Sequence, residues 1–352
     1  MRKVPYLLIF SVTILTFFSI TALYIINFRK FVPKEVIYFL AGFFIFLIVS
    51  SVNFRVYKFY AIPLYSAVLV LLIGVLIVGV AINSSRRWIS IAGLFTIQPS
   101  EFAKISLIIV LAWIYEHKMW NNFQKFVYSA LLLIPYAMIV FLQPDMGTSL
   151  VFAFIYFFLI LAFLHYKYAL TLVILALSMI PLLPKILKPY QIERILTFFD
   201  PYRDPLGSGY NVLQSIISFS SGRLFGKGIS GSTMTKLNFV PVQYADFILS
   251  AIGEIWGFIG VVVVLLCYSY ILYFTSKAAF STKNIFGRAI ALGVFAMFFF
   301  QILINAGMNM GIMPVTGVPL PFLSFGGSSE IVNFLALGLS VSVYNYKDEI
   351  NL

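Results

Sequence analysis

The sequence predicts an all-α, polytopic integral membrane protein with about ten transmembrane helices and a long extracytoplasmic loop between the seventh and the eighth. Three observations predict it. Of 352 residues, 61% are hydrophobic and only 10% are charged, too few to cover a soluble domain of this length. The apolar residues come in repeated runs of about 18 to 25, the length that crosses a hydrocarbon core roughly 30 Å thick. These runs are continuous rather than alternating. They therefore read as helices, which satisfy their own backbone hydrogen bonds in lipid, and not as barrel strands.

Hydropathy places the first seven spans near 6–27, 35–53, 59–82, 99–116, 126–143, 147–164 and 167–184. The first follows Met1-Arg-Lys-Val-Pro5 and is too long, with no small-residue cleavage site, to be a signal peptide, so it is expected to be retained. Residues 185–246 then form the one long stretch without an apolar run able to cross a membrane. Three spans near 247–273, 287–308 and 325–345 complete a single membrane domain, 1–352. No internal repeat is evident.

An even number of spans puts both termini on one side. Arg2, Lys3, Arg55, Lys58, Lys118, Lys125, Lys167, Lys277, Lys283, Arg288 and Lys347 fall on that side, against Arg29, Lys30, Lys34, Arg86 and Arg87 in the opposite short loops. Basic residues concentrate in cytoplasmic loops, so both termini are expected in the cytoplasm and the 185–246 loop outside. The net charge of +12 is scattered over short loops rather than gathered in a patch, which argues against nucleic acid and for anionic lipid or a pyrophosphate-bearing substrate. A single cysteine, Cys267, excludes a disulfide framework, and His117 and His165 have no partner at metal-ligand spacing.

Candidate chemistry gathers on the predicted outer side. Asp246 opens the eighth span. It is either a first-turn acid complementing the helix dipole or a general base whose partial desolvation raises its pKa towards working pH. Glu101 and Lys104, three residues apart, share a face of the fourth span, as a structural ion pair or as charges lining a polar cavity. Glu254 lies about two turns beyond Asp246 and either tunes it or pairs with a base. Asp145 sits in the turn Gln143-Pro-Asp-Met-Gly-Thr-Ser149 between two spans. Arg194, Arg203, Arg223 and Lys227 make the long loop cationic, a solvated face or a phosphate-binding one, since arginine forks fit phosphate oxygens. Ser324 and Ser328 lie in the Pro- and Gly-rich run Pro314–Ser329, whose backbone is expected to be irregular and to line a cavity.

These motifs in this order resemble the SEDS family (shape, elongation, division and sporulation) over nearly the whole chain. The residues that carry the resemblance are Arg86-Arg-Trp-Ile89, Gln98-Pro-Ser-Glu-Phe-Ala-Lys104, Gln143–Ser149, Asp204-Pro-Leu-Gly-Ser-Gly-Tyr-Asn211, Gln214-Ser215, Gly226-Lys-Gly228, Asp246-Phe-Ile248, Gly257-Phe-Ile-Gly260 and Pro314–Ser329. Within the family, Gly209-Tyr-Asn211 and Val315-Thr-Gly-Val-Pro319 are similar to the elongation members rather than the division members. The resemblance implies a bacterial cytoplasmic-membrane glycosyltransferase that polymerises lipid II, an essential acid at Asp246, functional roles for Trp88, Glu101 and Lys104, and a class B penicillin-binding protein as partner. It departs from the family pattern at Ala245, where threonine is usual, at Val242, where an acid is expected, at Ser220-Ser221 in place of a more Gly-rich run, and at the extra charge Glu330.

The expected reaction has Asp246 deprotonate the 4-hydroxyl of an acceptor sugar as it attacks the anomeric carbon of a polyprenyl-pyrophosphate-linked donor. Arg194, Arg203, Arg223, Lys104 or a divalent cation (magnesium or manganese) would neutralise the leaving pyrophosphate, and no organic cofactor is expected. A lipid II flippase is the alternative, since about ten spans and intramembrane charges suit a transporter equally well. A scaffold for the transpeptidase is the third, but it has no need of Glu101, Lys104 or Asp246 in apolar surroundings.

Overall fold

A computed structural model describes residues 5–82, 85–91 and 95–348. Arg2 and Lys3, used above for orientation, and part of the segment after Ser84 lie outside the described residues. Helix α1 (Tyr6–Ser51) bends at Asn27 and is followed by the single turn α2 (Val56–Phe59) and by α3 (Ala61–Val78). Strands β1 (Val80–Ile82), β2 (Ser85–Ile91) and β3 (Phe95–Ile97) come next, then α4 (Pro99–Glu116), α5 (Asn122–Leu142), α6 (Met146–Phe163) and α7 (Tyr166–Met179). The long loop holds short helices: α8 (Leu183–Ile186), α9 (Pro189–Phe199), α10 (Tyr210–Ser221), α11 (Gly228–Gly231) and α12 (Thr233–Lys236). Helices α13 (Ile248–Ser281), α14 (Ile285–Asn309) and α15 (Gly327–Asn345) finish the chain.

With α1 counted as two arms, ten helical segments stand at the predicted positions. Among the described residues, five helices (α1, α5, α6, α13 and α14) are long and apolar enough to cross a membrane. Three ends depart furthest from expectation. The second arm of α1 starts soon after Asn27 and not near 35, because the Asn27 side chain accepts the Lys30 N–H at 3.1 Å and caps the arm, with Pro33 inside it. Helix α7 gives way to a tight turn at Ile180–Leu182, where Pro181 and Pro184 remove backbone donors. Helix α13 runs on to Ser281, past a break at Gly257. The all-α class holds, with one small addition, since the segment between α3 and α4 forms a three-stranded antiparallel sheet in the order β1-β2-β3, with Val80 opposite Trp88 and Ile89 opposite Ile97. Its β-branched alternation (Trp-Ile-Ser-Ile) fits a pleated, half-buried ribbon.

The bend at Asn27 folds α1 back on itself. Leu8, Ile9 and Val12 of the first arm line one apolar groove with Phe39, Phe43 and Phe46 of the second and with Phe334 of α15. Tyr346, just past α15, donates to the Ser51 carbonyl, and Ser342 donates to Val52 at 2.5 Å. Both ends of the described chain therefore lie on one face of the bundle. Helices α4 and α14 run through its centre, buried on nearly every side. On the opposite face, Phe31 just past the bend stacks on Tyr244 at 4.7 Å and meets Phe325 edge-on at 4.9 Å. That face carries the end of the long loop and the Pro314–Ser329 segment.

Candidate active site

Asp246 is held in a tight turn just before α13. Its N–H and that of Ala245 both donate to the Val242 carbonyl, at 3.2 and 3.0 Å. Val242 adopts φ 52°, a left-handed conformation that a β-branched residue rarely takes, so the turn stores strain next to the acid. The Pro314–Ser329 segment braces the turn from the other side. Ser324 donates to the Ala245 carbonyl at 2.5 Å and accepts from the Leu320 N–H at 2.8 Å, while the Phe325 N–H donates to Tyr244 at 2.9 Å. Gly317 (φ 74°) faces the carboxylate, since a methyl group there would sit 3.8 Å from an Asp246 oxygen. The amides of Asn305 and Asn309, on the last two turns of α14, both donate to the Asp246 carbonyl, at 3.1 and 3.0 Å.

No protein donor among the described residues bonds the carboxylate oxygens of Asp246, which keep some accessible surface. Desolvation by the surrounding protein pushes the carboxyl up to about 6, against the pull of Arg194, with Asp145 adding to the rise and Arg87 opposing it. Arg194, on α9, reaches towards the same segment and donates to the Val315 carbonyl at 3.4 Å. Asp145 caps α6, accepting from the Thr148 N–H at 3.2 Å and hydroxyl at 2.9 Å. It also accepts from Gln98 at 3.1 Å and faces Arg87 at 3.6 Å, while Arg87 itself donates to the carbonyls of Gln143 and Pro144. Ser328 accepts from the Gln98 N–H at 3.0 Å, so the start of α15 is tied to the start of α4 beside Asp145.

The structure thus brings Asp145, Arg194, Ser324 and Ser328 together with Asp246. The other candidates make no hydrogen bond to this group among the described residues. Glu254 is buried and fully engaged. It accepts from Lys227 at 3.2 Å, from the N–H groups of Met234 and Thr235 at 3.1 and 2.8 Å, and from the Thr235 hydroxyl at 2.7 Å. Of the two roles open to it, pairing with a base is the one observed, and Lys227 is spent on that pair. Glu101 and Lys104 form a 2.6 Å ion pair with both side chains buried in the helix packing, so neither presents free charge at a surface. Arg203 and Arg223 are exposed on the long loop, with no ion-pair partner among the described residues. Trp88 is half-buried on β2.

Sequence reasoning missed four residues. Arg87 lay in a quoted motif and Gly317 in a quoted segment, but neither was singled out. Asn305 and Asn309 carried a readable signal, two amides one turn apart on a helix whose other polar residues are Arg288 and Gln301.

A family model described as the cell cycle proteins FtsW, RodA and SpoVE matches residues 2–349. The chain belongs to the FtsW/RodA/SpoVE family. Among its relatives in this family, the peptidoglycan glycosyltransferase MrdB of Escherichia coli (strain K12) is 34% identical over 310 residues, covering 87% of this chain and 83% of MrdB. Stage V sporulation protein E of Bacillus subtilis (strain 168) is 36% identical over 293 residues, 78% of this chain and 76% of that protein. Two solved structures share the fold of this family member. One, from work on the structural coordination of polymerization and crosslinking by a peptidoglycan synthase complex, is 32% identical with a TM-score of 0.81, covering 97% of this chain and 98% of that one. The other, the rod shape determining protein RodA of Thermus thermophilus, is 28% identical with a TM-score of 0.73 and covers 97% of each chain. The likeness to RodA agrees with the elongation-type motifs in the sequence.

Proposed function

We propose that this protein is a peptidoglycan glycan-strand polymerase that joins lipid II disaccharides at the outer face of the bacterial cytoplasmic membrane. The observation that carries the reading is Asp246: a carboxylate with no donor on its oxygens among the described residues and an acidity shifted to about 6, flanked by arginine. That is the state of a general base rather than of a structural acid. Membership of a family whose relatives are named peptidoglycan glycosyltransferases supports the substrate class.

In the proposed step, Asp246 takes the proton of the acceptor's 4-hydroxyl as that oxygen bonds to the donor's anomeric carbon. The bond from that carbon to the pyrophosphate oxygen breaks, and polyprenyl pyrophosphate leaves with the electron pair. Positive charge develops at the anomeric carbon in the oxocarbenium-like transition state. One base suffices for inversion, and no covalent intermediate is required. Arg194 and Arg87, the cations that Asp246 senses, are placed to meet the departing pyrophosphate. A divalent cation would find Asp246 as the one carboxylate here with free oxygens, since those of Asp145 are engaged and no three His, Cys, Asp or Glu side chains converge among the described residues. Bound there, it would supply positive charge to offset the negative charge of the departing pyrophosphate.

The termini are cytoplasmic in this reading, the long loop faces outward, and a class B penicillin-binding protein is the crosslinking partner, by analogy with the synthase complex of similar fold. The test is glycan-chain formation from purified lipid II in detergent, with and without that partner. Asp246→Ala is expected to lose about 10²–10⁴-fold of the rate. A flippase makes no glycan in this assay, and full activity in Asp246→Ala would overturn the general-base assignment.

A further inference from the structure

We infer that Asn305 and Asn309 are positioning residues for Asp246, a two-amide clamp that sets where the base sits. The inference rests on the proposed polymerase reading. Both side chains are fully buried at the end of α14. The Asn305 amide splits its two donors between the Asp246 carbonyl (3.1 Å) and the Val318 carbonyl (2.8 Å), so it joins the acid's turn to the residue beside Gly317. The Asn309 amide donates to the Asp246 carbonyl (3.0 Å) and back to the Asn305 carbonyl and side-chain oxygen (2.9 and 3.1 Å).

The oxygen of Asn309 does something else. It accepts the Ser250 N–H at 3.0 Å. Helix α13 begins after Phe247, which cannot cap it, and has no side-chain cap of its own. Asn309 caps it from a neighbouring helix, giving a first-turn donor a second and shorter acceptor beside the Phe247 carbonyl at 3.2 Å. One asparagine therefore fixes both the residue bearing the base and the first turn of the helix behind it. No other residue type offers two donors and an acceptor in so short a neutral side chain.

The reason for such a clamp is that nothing else holds the carboxylate. Its oxygens take no hydrogen bond from the described residues, which leaves them open to substrate but also leaves the side chain unguided. Its position is then set by its main chain, pinned through the carbonyl by the two amides and through Ala245 by Ser324. Misplacement of a reacting group by about 1 Å costs on the order of 10²-fold in rate.

The test uses full-length protein with purified lipid II. Asn309→Asp and Asn305→Asp each keep an acceptor oxygen and remove the amide donors, and Asn309→Thr replaces them with one shorter hydroxyl without adding charge. Each variant is expected to lower kcat by about tenfold or more, with KM for lipid II within about twofold and the acid limb of the pH–rate profile displaced, because the carboxyl's surroundings change. The Asn305→Asp, Asn309→Asp double variant is expected to lose little more than the worse single one, since the two act on one carbonyl. Normal kcat and an unmoved acid limb in any variant that remains monodisperse would overturn the clamp. So would a loss that tracks only the fraction of folded protein, with the pH profile of the remainder unchanged. Asp246→Ala in the same series separates the two ideas. If it stays active, the polymerase base is wrong. If it is dead while the asparagine variants are normal, only the clamp is wrong.

Discussion

At the scale of single residues, the protonation of Asp246 makes two linked demands. As a base it must be ionised, so kcat/KM is expected to fall with unit slope as pH drops through about 6 and to level off above it. Its folded-state pKa is raised above the unfolded value of about 3.9. The sign is therefore opposite to that of a salt-bridged aspartate. Its contribution favours the fold below about pH 4 and is lost as pH rises through about 6, so the working, ionised form is the destabilised one. Asp246→Asn is expected to abolish polymerisation yet to raise stability at pH 8 by roughly 1–3 kcal/mol, an advantage that vanishes near pH 4, as thermal unfolding in detergent at the two pH values would show. Two buried acids give a contrasting pair. Glu101 is matched by Lys104 at 2.6 Å, so Glu101→Gln strands a buried cation and is expected to cost about 3–5 kcal/mol. Glu35 on α1 and Glu330 on α15 are both buried, sense one another and have no hydrogen-bond partner on any carboxylate oxygen among the described residues. Ser19, the hydroxyl beside Glu35, gives its proton to the Leu323 carbonyl at 2.8 Å instead. Glu330→Gln removes one of two unmatched acids and is expected to leave the unfolding midpoint unchanged or higher, where Glu101→Gln lowers it.

At the scale of elements, the long loop is docked onto a helix by a break in that helix. Gly257 interrupts α13 with φ 67° and ψ −164°, a conformation open only to glycine. The break frees the Phe258 and Ile259 N–H groups to donate to Arg223 and Leu224, at 2.8 and 3.2 Å, while the Lys227 N–H donates to the Glu254 carbonyl at 2.9 Å. A side chain at Gly257 would strike the backbone of Leu224 and Gly226. Gly257→Ala is expected to detach the loop at a cost of about 2–4 kcal/mol, read as new proteolytic cleavage between 221 and 232 and loss of polymerisation, while α13 persists. The sequence foretold the helices well, because a span is written locally: α4 starts and ends at the predicted residues, Pro99 and Glu116. It also foretold the polar segments that meet at Asp246. It did not foretell which charges would be consumed by one another. Lys227 and Glu254 are 27 residues apart and meet only because Gly257 folds the loop back. Asn309 and Asp246 are 63 apart, and their bond depends on how α14 packs against α13. Asn305 and Asn309 were visible as amides on one helix face, but a polar residue in a span does not name its partner.

At the scale of the whole molecule, what decides between polymerase and flippase is the side from which the site opens. Both ends of the described chain lie on one face, joined through Ser51, Val52, Ser342 and Tyr346, and the α4–α5 connection joins that face through the 2.8 Å Lys58–Glu116 ion pair. Asp246, Asp145, Arg87 and Arg194 lie at the other face, with the long loop beside them. The core between the two is filled: α4 and α14 are buried almost throughout, and the one intramembrane cation on α4, Lys104, is closed off by Glu101. A transporter must present its substrate groups to both sides in turn, whereas a polymerase needs them on one side alone, and the polar groups here gather at one face. The chain provides its own labelling background, because its only cysteine, Cys267, is buried. Ser230→Cys, exposed on α11 of the long loop, is expected to react with a membrane-impermeant maleimide on intact spheroplasts. Lys118→Cys, exposed between α4 and α5, is expected to react only after the membrane is opened. Labelling of Lys118→Cys from outside would invert the orientation and put Asp246 on the cytoplasmic side, where growing glycan strands could not reach the cell wall.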